Sequence, residues 1–146
     1  MNVLFVCTGN TCRSPMAEAI FNNLEKNNED ANTAFSRGIN VFFEECINDK
    51  AKKALEEFEI YDFEHLSKQV CEEDIKMADL ILTMTSSHKM LLKSKFPKFA
   101  QKIYTLSEKA FGKDKSISDP YGQNQEIYNM CANEIKGAVE KLLEKL

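Results

Sequence analysis

Short apolar runs alternate with stretches of helical periodicity along the chain, and this alternation constrains the fold more than any other feature. A continuous apolar run of strand length is typical of a strand that is buried on both faces of a parallel sheet. Strands are predicted over residues 3–6, 33–36, 80–84 and 102–106. With helices between them, the pattern predicts an α/β fold in three layers, a four-stranded parallel sheet with helices on both faces.

Helices are predicted where apolar residues recur three or four positions apart. The first has Pro15 in its first turn and Ser14 as its N-cap, because these residue types suit those positions. Its inward-facing residues are predicted to be Ala17, Ile20, Phe21 and Leu24. Further helices are predicted over Asp49–Phe58, with Phe58 facing inward, over Ser86–Lys95, and along a C-terminal face of Ile127, Cys131, Ile135, Ala138 and Leu142.

Composition narrows the class of protein. The length of 146 residues fits one domain, which we expect to span residues 1–146. A net charge of −4 argues against a nucleic-acid partner, which requires a basic surface.

No apolar run approaches the ~20 residues of a membrane span, and the start lacks the basic region of a signal peptide, so we expect no membrane association and a cytoplasmic location. The five cysteines form no CxxC pair and the two histidines are distant, so we expect reduced thiols and no metal.

The loop after the first strand is the first candidate site, because parallel α/β sheets bind ligands at the carboxyl ends of their strands. It reads Cys7-Thr8-Gly9-Asn10-Thr11-Cys12-Arg13-Ser14-Pro15. A cysteine and an arginine five residues apart can bracket one tetrahedral anion. The intervening backbone N–H groups and the helix N-terminus would bind it, and the arginine fork would clamp two of its oxygens.

The same loop chemistry favours a reactive cysteine. Gly9 and Asn10 tolerate the left-handed conformations that turn backbone N–H groups inward. The positive field of these groups and of Arg13 stabilises a thiolate at Cys7, which predicts an activated nucleophile. The spacing alone is a weak signal, and an inert buried cysteine in an ordinary strand–helix turn is the alternative. A strand before the loop and Ser14-Pro15 after it favour the functional interpretation.

A carboxylate near the end of the sequence can supply the proton donor that a reaction at Cys7 would need. Phosphoryl transfer to sulfur needs an acid that protonates the leaving group. Asp119-Pro120-Tyr121-Gly122 places an aspartate in a loop before the last helix, where the proline restricts the backbone. Alone this tetrapeptide indicates only a turn. Together with the first loop, it makes Asp119 the predicted general acid.

These motifs resemble the low molecular weight protein tyrosine phosphatase family. The resemblance includes Val3–Ala19, His65–Val70, Ala78–Leu82 and Asp119–Gly122, in the family's order and spacing. It implies a four-stranded parallel α/β fold with a phosphate loop after the first strand, and it implies no metal and no other cofactor. It also implies phosphorylated protein substrates, a phosphocysteine intermediate and inorganic phosphate as product.

The resemblance also assigns roles to individual residues. It implies that Cys7 is the nucleophile, Arg13 the phosphate clamp, and Asp119 first an acid and then a base. The predicted substrate-binding residues are Thr8, Gly9, Asn10, Thr11, Cys12, Ser14 and Tyr121, with Ser14 donating to the thiolate and Asn10 shaping the loop. Ser36 and His65 are the implied supporting residues, with His65 buried against the loop. Cys12 would form a reversible disulfide with Cys7, unless it only packs.

Two positions bear on the leaving group. Tyrosine-directed members of the family usually carry a bulky aliphatic residue at the position of Thr11, and a threonine there resembles the bacterial protein arginine phosphatases. The single aromatic in Tyr121-Gly122 resembles the same branch. A threonine hydroxyl can accept an N–H from a guanidinium, which is costly to bury unpaired. Phosphoarginine is therefore the predicted substrate, with phosphotyrosine as the alternative.

Three other classes compete with a phosphatase. An arsenate reductase on this fold would need a further cysteine pair on a flexible segment, but residues 76–90 contain no cysteine and Cys71 is alone. A phosphopeptide-binding module without activity would be expected to lack Cys7 or Asp119, and both are present. A redox sensor that uses Cys7 and Cys12 could coexist with catalysis, but alone it would leave Arg13 and Asp119 unexplained. We therefore expect a hydrolase.

Overall fold

A four-stranded parallel sheet in the order β2-β1-β3-β4 forms the centre of the molecule. The computed structural model describes residues 1–146. The strands are β1 (Asn2–Cys7), β2 (Thr33–Gly38), β3 (Leu80–Thr83) and β4 (Ile103–Thr105). Every residue of β1 after Asn2 is buried, as expected for a central strand of a parallel sheet. The predicted α/β class and the four parallel strands are confirmed.

Helices cover both faces of the sheet. They are α1 (Arg13–Glu25), α2 (Asp49–Glu56), α3 (Glu72–Met77), α4 (Ser86–Lys95), α5 (Leu106–Phe111) and α6 (Gln125–Leu143), with a 3₁₀ helix at Pro97–Lys102. Because successive side chains of a strand point to opposite faces, Val3 and Phe5 pack with α1, α2, α5 and α6, whereas Leu4 and Val6 pack with α3 and α4. The predicted three layers are therefore present. None of the helices is long and apolar enough to cross a membrane.

The ends of the long helices differ from the prediction. Helix α1 begins at Arg13, with Cys12 as its N-cap, so the prediction of Ser14 as the N-cap is wrong. The Ser14 hydroxyl lies instead 2.9 Å from the sulfur of Cys7. Leu24 and Ile127 were predicted to face the core, yet they are 40% and 37% exposed, because each lies in a terminal turn of its helix.

Short elements were missed. Helix α3, the 3₁₀ helix and α5 have six residues each, too few for a helical period to be recognised. Leu106, predicted as strand, begins α5, because Thr105 caps that helix by accepting the Glu108 N–H at 3.1 Å. Phe58 lies beyond the end of α2, although its ring still packs against the core. Met84 follows β3 rather than ending it.

Candidate active site

The loop between β1 and α1, residues 8–12, has backbone N–H groups that donate to no protein acceptor. Most of its carbonyls, by contrast, accept hydrogen bonds. Neighbouring backbone N–H groups donate to the carbonyls of Thr8 and Thr11 at 3.0 and 2.9 Å, and to that of Cys7 at 3.0 Å. Free amide donors at the start of a helix form an anion site, since the positive end of the helix dipole lies there too.

One residue of this loop has a left-handed backbone. Asn10 has φ of 57°, a conformation that asparagine tolerates better than most residues. Gly9 is not in the left-handed region, so that part of the prediction is wrong. A Cβ at Gly9 would lie 3.8 Å from its nearest neighbour, the Thr11 Oγ1, so no close contact requires a glycine at this position.

A glycine on the neighbouring strand allows the loop to approach. Cys7 at the end of β1 pairs with Gly38 at the end of β2. A Cβ on Gly38 would lie 2.7 Å from the backbone oxygen of Thr8 and 2.5 Å from Val41 Cγ2. Only glycine fits this contact without moving the loop, and the motif-based prediction did not include Gly38.

The Asn10 side chain orders the hydrogen bonds around Cys7. Its amide nitrogen donates to the Ser14 hydroxyl at 2.8 Å and to the Ser36 hydroxyl at 3.0 Å. Both amide hydrogens are thereby used, and Ser14 Oγ receives one of them. The Ser14 hydrogen is then free to point at Cys7 Sγ, which is 2.9 Å away, whereas the Arg37 carbonyl is 3.5 Å away. This arrangement stabilises a thiolate at Cys7.

The network ends at a carboxyl that sequence reasoning missed. The Ser36 hydroxyl donates to Glu18 Oε1 at 2.7 Å. Burial raises the pKa of Glu18, and the hydrogen bond from Ser36 opposes that effect. Glu18 lies four residues after Ser14 in α1, so helical spacing could have placed both side chains on one face.

A histidine holds the loop from outside. His65 Nε2 lies 2.7 Å from the Asn10 backbone oxygen and must carry the hydrogen, because a carbonyl only accepts. His65 is half-buried, not buried as predicted. Burial lowers the pKa of His65, while the Asn10 carbonyl opposes this effect. The Asn10 amide oxygen accepts the Lys68 N–H at 3.0 Å, so the segment 65–68 holds this residue at two points.

Arg13 connects the first loop to the loop that carries Asp119. Its Nη1 donates to the Ile117 carbonyl at 2.8 Å, and its Nη2 lies 3.7 Å from Asp119 Oδ2. The Arg13 side chain is 5% exposed and the Asp119 side chain 53% exposed. A buried, fixed guanidinium therefore lies beside an accessible carboxylate.

A turn positions Asp119 and the neighbouring aromatic ring. Asp119 Oδ1 accepts the Tyr121 N–H at 3.0 Å, and the Gln123 N–H donates to the Pro120 carbonyl at 2.9 Å. Gly122 has φ of 81°, which the third position of this turn requires. Tyr121 is 71% exposed, so its ring is available at the rim of the site.

These residues enclose one cavity of about 230 Å³. It is lined by Cys7, Thr8, Gly9, Thr11, Cys12, Arg13, Asp119 and Tyr121. Its walls carry no aliphatic side chain, and the Tyr121 ring is its one large apolar surface. The structure thus brings the predicted nucleophile, clamp and acid to one small cavity beside the free amides of the loop. No group of three or more His, Cys, Asp or Glu side chains has the arrangement of a metal site.

The second cysteine of the loop lines the cavity but is almost fully buried. Cys12 is 5% exposed, and its sulfur is 3.6 Å from the Tyr128 hydroxyl. Burial raises the pKa of Cys12, which keeps its thiol protonated, although Tyr128 opposes that effect. Tyr128, which the motifs did not point to, contacts the loop from α6.

Comparisons with known proteins agree with this geometry. A family model described as low molecular weight phosphotyrosine protein phosphatase matches residues 2–146. A protein-arginine-phosphatase of Bacillus subtilis is 36% identical, over 100% of this chain and 97% of its own length. A low molecular weight protein tyrosine phosphatase from T. tengcongensis superposes with a TM-score of 0.93 at 44% identity, covering 100% of this chain and 99% of its own.

A third relative bears on the reaction intermediate. It is a variant of the arginine phosphatase YwlE in which serine replaces the active-site cysteine, and that serine is phosphorylated. It superposes with a TM-score of 0.95 at 34% identity and covers 100% of this chain and 95% of its own. In that protein, the residue at the nucleophile position therefore accepts a phosphoryl group.

Proposed function

Because the chain belongs to the low molecular weight phosphotyrosine protein phosphatase family and is a phosphatase, we propose that its preferred substrates are phosphoarginine side chains of proteins. The observation that carries the proposal is which side chains line the cavity. Thr11 lies in that lining, and no aliphatic side chain does. The relatives include proteins named for arginine and for tyrosine, so their names do not choose between the two substrates.

The chemistry of the two leaving groups explains why Thr11 matters. A phosphotyrosine ring is apolar and gains from an aliphatic wall. A guanidinium carries several N–H donors, and burying one without a partner costs about 1–3 kcal/mol. The Thr11 hydroxyl oxygen can accept such a donor, because its one hydrogen-bond partner in the structure, Cys12 Sγ at 3.8 Å, is a weak one. The exposed ring of Tyr121 stacks on either leaving group.

The first step transfers the phosphoryl group to sulfur. The Cys7 thiolate, held by the Ser14 hydroxyl at 2.9 Å, attacks phosphorus and forms the S–P bond. The free amides of residues 8–12 and the Arg13 guanidinium bind the phosphoryl oxygens. The P–N bond breaks, and Asp119, in its acid form, gives its proton to the leaving nitrogen.

The second step releases phosphate. Asp119, now a carboxylate, takes a proton from a water molecule that attacks the phosphocysteine. The S–P bond breaks, and its electron pair returns to the Cys7 thiolate. Inorganic phosphate leaves, and the site regains its starting protonation. The phosphorylated serine of the YwlE variant supports an intermediate on the residue that Cys7 matches.

Phosphotyrosine is the second candidate substrate. The Tyr121 ring at the rim offers one aromatic contact for a tyrosine ring, and the 44% identical relative is named for tyrosine. The same steps apply, with a P–O bond in place of the P–N bond. The two candidates differ only in what the walls of the cavity bind.

A substitution at Thr11 separates the two candidates. Thr11→Ile removes the hydroxyl and adds an aliphatic wall. We expect the ratio of kcat/KM on a phosphoarginine peptide to that on a phosphotyrosine peptide to fall at least about tenfold, because a site built to accept a hydrogen bond discriminates strongly when that bond is lost. Steady-state kinetics on both peptides measures the ratio.

Two controls accompany this experiment. Thr11→Ser keeps the hydroxyl and is expected to keep the ratio. Hydrolysis of an activated nitrophenyl phosphate reports an intact loop, because Cys7 and Arg13 are unchanged. If the ratio does not move in Thr11→Ile while the nitrophenyl activity persists, Thr11 does not select the substrate.

A redox role for Cys12 is also proposed. Peroxide oxidises the Cys7 thiolate to a sulfenic acid, and the Cys12 thiol then attacks it, releases water and forms a disulfide. In the wild type, we expect a thiol reductant to restore activity after peroxide. In Cys12→Ser, we expect irreversible loss, because Cys7 proceeds to higher oxides. Cys71→Ser, which removes an exposed thiol, is the control. Full recovery of Cys12→Ser would leave Cys12 with a packing role alone.

We further propose that the protein acts in the cytoplasm. All five cysteines are free thiols, and the proposed nucleophile must be reduced to react. Cell fractionation tests this location. Recovery of the protein outside the cytoplasmic fraction would contradict it.

A further inference from the structure

A histidine outside the catalytic motifs reaches the wall of the cavity. His88, in the first turn of α4, places its Nε2 2.8 Å from the Thr8 hydroxyl oxygen. Its other ring nitrogen, Nδ1, is the one buried side-chain nitrogen or oxygen in the molecule that has no hydrogen-bond partner. His88 is 7% exposed, whereas Thr8 is exposed into the cavity. The mechanism above uses the backbone of Thr8 but neither of these side chains.

The unpartnered Nδ1 favours one tautomer. A buried N–H without an acceptor is rarer than a buried acceptor without a donor. The hydrogen of the neutral ring is therefore placed on Nε2, which donates to Thr8 Oγ1. The Thr8 oxygen then keeps one lone pair and its own hydrogen for whatever occupies the cavity. Even in the other tautomer, the oxygen would keep lone pairs for an incoming donor.

The charge of His88 matters for a cationic ligand. Burial lowers the pKa of His88 to about 4, and the nearby Arg13 guanidinium acts in the same direction. The ring is therefore neutral at neutral pH. The neutral ring holds the Thr8 hydroxyl without adding a second positive charge beside Arg13. Such a charge would repel a guanidinium ligand.

We propose that the Thr8 hydroxyl is a second determinant of substrate specificity, which accepts an N–H of the phosphorylated guanidinium, and that His88 is its positioning residue. The inference rests on the proposed phosphoarginine specificity and extends it from Thr11 to a second wall of the cavity. A phosphotyrosine ring offers no N–H to this oxygen, so the hydroxyl discriminates between the two substrate classes.

Substitutions at both positions test the proposal. Thr8→Val keeps the shape and the backbone N–H but removes the hydroxyl. We expect the phosphoarginine to phosphotyrosine ratio of kcat/KM to fall at least about tenfold in this variant, and Thr8→Ser to keep the ratio. His88→Leu is expected to lower the ratio in the same direction, and His88→Gln, which can still donate to Thr8, to restore part of it.

A double variant separates positioning from packing. If His88 acts through Thr8, His88→Leu causes no further fall in the ratio when Thr8 is already valine. A purely structural role would lower activity on both peptides and on an activated nitrophenyl phosphate equally, leaving the ratio unchanged. Ser87→Ala, at an exposed neighbour on the same helix, is the matched control and should leave every rate unchanged.

The outcomes distinguish this inference from the proposed function. A wild type that prefers phosphoarginine, with a Thr8→Val ratio that does not move, overturns the role of Thr8 and leaves the proposed function standing. A wild type that prefers phosphotyrosine overturns both. If Thr8→Val loses its nitrophenyl activity through misfolding, His88→Leu carries the test, because it leaves every residue that lines the cavity in place. An unchanged ratio in that variant overturns the role of His88.

Discussion

Cys7→Ser loses at least about 10⁴-fold in kcat/KM on every phosphorylated substrate, because a serine hydroxyl is a far weaker nucleophile than a thiolate at neutral pH. The Ser14 hydroxyl at 2.9 Å from the sulfur stabilises a charge that serine does not develop. The free amides of residues 8–12 and Arg13 are unchanged, so we expect phosphate to bind with similar affinity. Steady-state kinetics and phosphate binding by calorimetry measure the two effects.

Another cysteine provides the control for this loss. Cys46 is an exposed free thiol away from the cavity lining, and Cys46→Ser should keep wild-type rates. Circular dichroism should show that both variants fold. Substantial turnover by Cys7→Ser would mean that another residue is the nucleophile.

Asp119→Asn produces a loss that depends on the leaving group. The amide keeps the size of the carboxyl but cannot supply the proton, so hydrolysis of phosphorylated peptides should fall by about 10²–10⁴-fold. An activated nitrophenyl phosphate has a leaving group that needs no proton, so its transfer to Cys7 should change much less. Burst kinetics on that substrate separates the transfer step from the later hydrolysis, for which Asp119 is the proposed base.

The control for this prediction is an aspartate outside the site. Asp62 is exposed and forms no ion pair, so Asp62→Asn should leave both rates unchanged. Equal losses of Asp119→Asn on the peptide and on the nitrophenyl phosphate in the transfer step would exclude Asp119 from the acid role.

Local patterns were sufficient to predict most of the sheet and the first loop. The buried strands β1 and β3 were predicted from continuous apolar runs. The helices α4 and α6 have ten or more residues, and they were predicted from helical periodicity. The six-residue helices α3 and α5 are stabilised by caps and by packing, which periodicity does not register. The Thr105-x-x-Glu108 capping box was a readable signal for α5.

The residues of the site likewise divide into those that local patterns predict and those that only the tertiary fold brings together. Cys7, Arg13 and Asp119 were predicted from motifs, and the structure brings them to one cavity. Glu18 could have been placed by its helical spacing from Ser14. His88 and Thr8 are 80 positions apart, and only the crossover from β1 to β3 and α4 brings them together. No local pattern contains that contact, since it depends on the order of the strands.

The most direct test of the central claim is the selectivity of the wild-type enzyme between two peptides. They share one sequence and differ only in carrying phosphoarginine or phosphotyrosine at one position, and kcat/KM is measured on both under the same conditions. The Thr11 hydroxyl, in a cavity lining without aliphatic side chains, predicts a preference for phosphoarginine of at least about tenfold. A preference for phosphotyrosine would contradict the account and leave a tyrosine phosphatase.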